Sequence, residues 1–129
     1  MRKINIACII DDDPIFVFGT KRIMQLSNFC ESIMVFVNGK DAHDSLKAMI
    51  LAKEPQPDVI LLDLNMPIWD GWQFLDEFIK IPNDYPITIY IITSSVDPAD
   101  VEKAKKYDAV SNYIVKPITT AELKNILSN

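Results

Sequence analysis

The sequence predicts an α/β fold in which a doubly wound, five-stranded parallel sheet is flanked by five helices. Three observations carry this expectation. Five short, β-branched apolar runs recur along the 129 residues, segments with helical spacing of apolar positions separate them, and acidic caps followed by proline mark two helix starts. Parallel strands need crossover connections, which are right-handed, so the helices must cover both faces of the sheet.

The first run, Ile4 to Ile10, is apolar almost throughout, as a strand covered on both faces should be. Asp13-Pro14 then places a cap acceptor before a proline at the first helical position, and Phe16, Ile23 and Leu26 follow on one face. Ile33 to Val37 reads as the second strand, and Ala42, Leu46, Met49 and Ile50 form the stripe of the second helix. Val59 to Leu62 is a third strand of four apolar residues, followed by a helix carrying Phe74, Leu75, Phe78 and Ile79. The one long connection, Ile81 to Pro86, leads to the fourth strand, Ile87 to Ile92. Asp97-Pro98 repeats the start signal for a helix with Val101 and Ala104, and Tyr113 to Val115 is the fifth strand. Thr119 with Glu122 reads as a capping box for a last helix carrying Leu123, Ile126 and Leu127. The length suits one compact domain, so residues 1–129 are read as a single domain.

Hydrophobic residues make up 49% of the chain and charged residues 24%, which favours a packed interior over disorder. A net charge of -5 argues against direct nucleic-acid binding, because affinity for phosphate backbones comes largely from clustered Lys and Arg. No apolar run approaches the roughly 18 residues of a membrane span, and the N-terminus lacks a signal-peptide pattern. Cys8 and Cys30 have no metal-ligand or CxxC spacing, so a reducing cytoplasm is the expected location.

In open α/β sheets, ligands collect outside the carboxyl ends of the strands, near the point where strand order reverses. The ends here are Asp11-Asp12-Asp13, Asp63, Thr93-Ser94 and Lys116-Pro117. Carboxylates converging in one crevice repel unless a cation joins them, and hard oxygen ligands suit Mg2+. Asp13 is set aside as a helix cap. Asp63 directly follows four residues that should be buried, a costly place for a carboxylate without a function. A carboxylate can act as a nucleophile toward phosphorus when a metal and a cation such as Lys116 neutralise the transferring oxygens. Taken singly, the acidic triplet could be a solvated loop, Lys116 a surface lysine and Thr93 an ordinary strand-end hydroxyl.

Together, Ile9 to Asp13, Leu61 to Pro67 with Asp70-Gly71, Ile91 to Ser94 and Tyr113 to Pro117 resemble the receiver domain of bacterial response regulators, also found as the stand-alone chemotaxis regulator. The resemblance covers essentially the whole chain and implies a flavodoxin-like sheet of the receiver type. It implies Asp63 as the phosphorylation site, and Asp11, Asp12, Asp63 and the backbone carbonyl of Asn65 as Mg2+ ligands. Lys116 would bind a phosphoryl oxygen, Thr93 would be the switch hydroxyl, and Tyr113 the aromatic residue that changes rotamer with it. The Lys116-Pro117 bond would be cis. The implied donor is a sensor histidine kinase or a histidine phosphotransfer protein, and the implied output is a protein target at the face of the fourth helix, fifth strand and fifth helix. Turnover of an external substrate is not expected.

Two positions depart from the family pattern. Asp108 stands where glycine is frequent, tolerable if Asp adopts a left-handed conformation there, and Trp69 would give the site a bulkier rim. His43 has no ligand-spaced partner and reads as a surface residue; Trp72, Phe74 and Phe78 read as packing, and Lys103, Lys105 and Lys106 as a solvated helix face. A haloacid-dehalogenase-type hydrolase would need an Asp-x-Asp pattern, but the second residue after Asp63 is Asn65. A flavin carrier would need a phosphate-cradling loop where Asp11 to Asp13 stand.

Overall fold

The computed structural model of the chain describes residues 4–128. Its elements run β1 (Ile4–Ile10), α1 (Pro14–Leu26), β2 (Cys30–Phe36), α2 (Gly39–Leu51), β3 (Val59–Leu62), α3 (Gly71–Phe78), β4 (Thr88–Thr93), α4 (Pro98–Ala104), β5 (Val110–Val115) and α5 (Thr120–Ser128). The strands form one parallel sheet in the order β2-β1-β3-β4-β5. The chain steps outward from β1 to β2 and then crosses back to β3, so strand order reverses between β1 and β3. Register pairs Ile10 with Leu62, which brings Asp11 and Asp63 out of neighbouring strands at the same height.

Successive strand residues point to opposite faces, and the core divides accordingly. Cys8, Ile10, Ile60, Leu62, Ile89 and Ile91 pack against Leu46, Phe74, Leu75 and Phe78 of α2 and α3. Ala7, Ile9, Val59, Leu61, Tyr90 and Ile92 pack against Met24 of α1 and Leu123 and Ile126 of α5. The side chain of Leu127 lies outside the described residues.

The caps have a direct chemical origin. Asp13 accepts hydrogen bonds from the Ile15 and Phe16 amides, and Asp97 from the Ala99 amide. Glu122 accepts from the Thr119 amide at 2.9 Å while the Thr119 hydroxyl accepts from the Glu122 amide at 3.2 Å, the reciprocal pair of a capping box. At the other end of α2, Lys53 adopts φ 56°, with Glu54 N donating to the Met49 carbonyl and Lys53 N to that of Ile50. That is a Schellman closure without glycine.

β2 and β5 each begin three residues before the apolar runs that predict them, and β4 is displaced by one residue, to Thr88–Thr93. β2 and β5 are the sheet edges, where Glu31, Ser32, Ser111 and Asn112 remain exposed. An edge strand needs only the backbone ladder of its inner neighbour, so apolarity does not mark its start. Asp108 also departs from expectation. The described non-glycine residues with positive φ are Asn28, Lys53 and Ile68, so Asp108 needs no left-handed allowance.

Candidate functional site

The carboxyl ends of β1 and β3 supply the first two carboxylates. Asp11 and Asp63 are almost fully buried, and Asp12 is exposed beside them. One oxygen from each of Asp11, Asp12 and Asp63 lies within 4.8 Å of the others, a grouping able to hold a metal ion. Asp11 Oδ1 accepts from the Asp13 amide at 2.9 Å, and Asp63 Oδ1 from the Leu64 amide at 2.8 Å. The remaining oxygen of each faces Lys116, whose Nζ is 2.8 Å from Asp11 Oδ2 and 3.6 Å from Asp63 Oδ2. Asp13 Oδ2 stands 4.0 Å from the same nitrogen, and the Phe16 ring centre 4.4 Å. Asp13 thus combines its capping role with a distant electrostatic one.

Negative charge is in excess, because three clustered carboxylates face one ammonium. Burial pushes the Asp11 carboxyl above its usual range and the Asp63 charge adds to this, against the pull of Lys116 and the Asp13 amide. Burial alone would lower Lys116, but its contact with Asp11 and the charges of Asp63 and Asp13 outweigh that and hold it above its ordinary value. The buried Asp11 Oδ2 is met among the described residues by the Lys116 ammonium, in an ion pair of 2.8 Å. Three carboxylates converging on one ammonium form an all-oxygen set with negative charge to spare, which fits a hard divalent cation.

Around this centre, Thr93 ends β4 fully buried, its carbonyl accepting from the Lys116 amide at 2.8 Å. The Lys116-Pro117 peptide is cis. Asn65 lies exposed in the loop after β3. Tyr113 is half-buried, and its hydroxyl donates to the Ser95 carbonyl at 2.9 Å. Ser95 was not legible in the sequence: its hydroxyl donates to Asp100 at 2.6 Å and its amide reaches Thr93 Oγ1 at 3.4 Å, linking the β4–α4 loop to both Thr93 and Tyr113.

The loop from Asn65 to Asp70 is held by close backbone approaches. The Gly71 amide donates to the Leu64 carbonyl at 2.9 Å, and a Cβ there would meet the Asp63 carbonyl oxygen at 2.5 Å. Ile68, β-branched, takes φ 66°, a strained conformation for such a residue. Trp69 does more than widen the rim: its carbonyl accepts from the Gly39 amide and its ring lies 5.0 Å from the His43 ring, fastening the loop to α2. His43 is therefore no open surface residue. Its side chain is 12% exposed, packed on Trp69 and 3.1 Å from Asp44. Phe74 and Phe78 stack in the core, and half-buried Trp72 stacks on Tyr107 beneath Lys103, which leaves Lys103 less purely solvated than expected.

No helix among the described residues is long and apolar enough to cross a membrane. The family model for the response regulator receiver domain matches residues 7–128. The transcriptional regulatory protein PrrA of Mycobacterium leprae is 32% identical over 116 residues, covering 89% of this chain and 45% of that protein. The chain thus spans about half the length of the curated relatives it matches. Among solved structures, a two-component response regulator from Cytophaga hutchinsonii superposes with a TM-score of 0.88 at 32% identity, covering 98% of this chain and 96% of that one. The receiver domain of a sensor histidine kinase from Pseudomonas aeruginosa PAO1, solved with a magnesium ion in its active-site cleft, has the same fold with a TM-score of 0.78 at 22% identity, covering 96% and 94% of the two chains. With the sheet order, the acidic cluster at its switch point and a matching family model in agreement, this chain belongs to the response regulator receiver domains, the phosphoacceptor switches that act between histidine kinases and downstream targets.

Proposed function

We propose that Asp63 accepts a phosphoryl group from a phosphohistidine of a sensor histidine kinase or histidine phosphotransfer protein, in a Mg2+-dependent reaction that switches a protein-binding surface. The observation that carries this reading is the convergence of Asp11, Asp12 and Asp63 within 4.8 Å, with Lys116 against two of them. Asp11, Asp12, Asp63 and the Asn65 carbonyl would hold the ion, which when bound supplies neutralisation of charge on the transferring oxygens.

The protein's own groups then have separate tasks. The Leu64 amide fixes Asp63 Oδ1, so Oδ2, on the Lys116 side, is the attacking oxygen. It forms the new O–P bond as the donor's P–N bond breaks, and that electron pair returns to the imidazole nitrogen. Lys116 pairs with a phosphoryl oxygen, and the added charge draws the Thr93 hydroxyl into a charge-assisted hydrogen bond. Tyr113 follows Thr93 through Ser95, which touches both, and remodels the face of α4, β5 and α5.

A protein target reads that face, and nucleic acid is not contacted directly, in keeping with the net charge of -5. We read residues 1–129 as one receiver domain without turnover of an external substrate, working in the cytoplasm, where the free Cys8 and Cys30 stay reduced. The test is incubation with acetyl phosphate and Mg2+ followed by intact-mass measurement. One hydroxylamine-labile phosphoryl adduct is expected, absent in Asp63→Asn; the same adduct on Asp63→Asn would overturn the assignment.

A further inference from the structure

We propose that Phe16 is a positioning residue for phosphoryl transfer, its ring holding the Lys116 ammonium in the pocket by a contact that does not depend on Asp11. This rests on the reading of Asp63 as phosphoacceptor. Among the described residues, Nζ of Lys116 meets the carboxylates of Asp11, Asp63 and Asp13 at 2.8, 3.6 and 4.0 Å and the Phe16 ring centre at 4.4 Å. Asp11 and Asp63 both belong to the set that would hold a divalent cation. A divalent ion held by Asp11 would offset part of the negative charge that attracts the lysine and would add a like charge to the same cluster. The hold of the carboxylates on Lys116 therefore weakens as the site is loaded. The aromatic face attracts an ammonium through its quadrupole and has no charge for a metal to neutralise. With the Lys116 side chain 14% exposed, the contact is largely shielded from water, where such an attraction is strongest.

The fold explains how the ring reaches this place. Asp13 accepts from the Phe16 amide at 3.3 Å, setting the first turn of α1, and helical side chains lean toward the N-terminus, here toward the strand ends. Phe16 also packs against the core cluster containing Ile9, Leu61 and Ile114. The ring is thus anchored by the core and presents a face to the ammonium. Leucine can replace much of its volume, but not that face.

Three variants test the inference. With Mg2+ saturating, Phe16→Leu is expected to slow acetyl phosphate labelling of Asp63 about five- to thirtyfold, the range appropriate to one largely shielded cation–π contact, and Phe16→Tyr to restore the rate. In a Lys116→Met background, Phe16→Leu should add nothing; equal slowing there, or no rescue by tyrosine, overturns the proposal. NMR gives an independent readout if Lys116→Met labels too slowly. The ε-methylene protons of Lys116 should be shifted upfield by the ring in unphosphorylated protein, with and without Mg2+, and lose that shift in Phe16→Leu. Collapse of the shift on adding Mg2+ overturns the inference. Labelling of the wild type with an unaltered Phe16→Leu rate refutes the Phe16 role alone, whereas no labelling of the wild type refutes the reading of Asp63 and this role with it.

Discussion

The approach of α3 to the end of β3 allows one substitution to be worked through. A Cβ on Gly71 would lie 2.5 Å from the Asp63 carbonyl oxygen, 2.9 Å from Leu64 Cα and 3.1 Å from Leu64 Cδ2. The first contact falls short of an ordinary 3.4 Å separation by about 0.9 Å, and the two nearest obstacles are backbone, so no rotamer change relieves them. If α3 recedes, the 2.9 Å bond from Gly71 N to the Leu64 carbonyl stretches out of range; if β3 yields, the 2.9 Å bond from Asp63 N to Ile10 O is strained and Asp63 moves. Overpacking costs roughly 1–3 kcal/mol and a lost hydrogen bond about 1 kcal/mol, against a gain of about 0.5–1 kcal/mol from replacing a helical glycine. Gly71→Ala should therefore lose roughly 1–3 kcal/mol, lowering the urea midpoint by about 1 M for a typical slope. Gly19, inside α1, has nothing within 4 Å of a built Cβ, so Gly19→Ala should raise stability by about 0.5–1 kcal/mol. Urea titration followed by Trp69 and Trp72 fluorescence measures both. Midpoints that move in the same direction for the two variants would refute the reasoning.

Asp58 is buried at the opposite end of the sheet, where it accepts from the Asn5 and Ile6 amides at 2.8 and 3.1 Å and from the Tyr85 hydroxyl. Asp58→Ala strands these donors and should cost about 2–4 kcal/mol, against about 1 kcal/mol for Tyr85→Phe, both read from denaturation midpoints. Lys53→Gly should add about 1 kcal/mol by removing the left-handed strain at φ 56°, and a fall in melting temperature would contradict it. Asp12→Ala should weaken Mg2+ binding severely, because it removes one of three clustered carboxylates; a titration matching the wild type would exclude Asp12 as a ligand. Thr93→Ala should still be phosphorylated but show smaller NMR shift changes around Tyr113 and α4, and perturbations equal to those of wild type would uncouple the hydroxyl from that surface.

Local signals in the chain were enough for the alternation of strands and helices, since buried parallel strands read as unbroken apolar runs and a helix start needs only a nearby acceptor. The change from Leu62 to Asp63, and from Ile10 to Asp11, is visible for the same reason: a carboxylate at the end of a buried run is conspicuous. The start of β2 at Cys30 and of β5 at Val110 was not legible, because an edge strand is defined by its neighbour's backbone rather than by its own apolarity. The same holds for Asp58, whose amide partner Asn5 is 53 positions away, for the Tyr113 hydroxyl on the Ser95 carbonyl, 18 positions away, and for the Phe16 ring against Lys116. Each is a contact between side chains or backbone groups that no local pattern relates, and each depends on a distance of a few ångströms. Sheet register and helix packing decide such distances, because they settle which residues of distant segments share one height and one face.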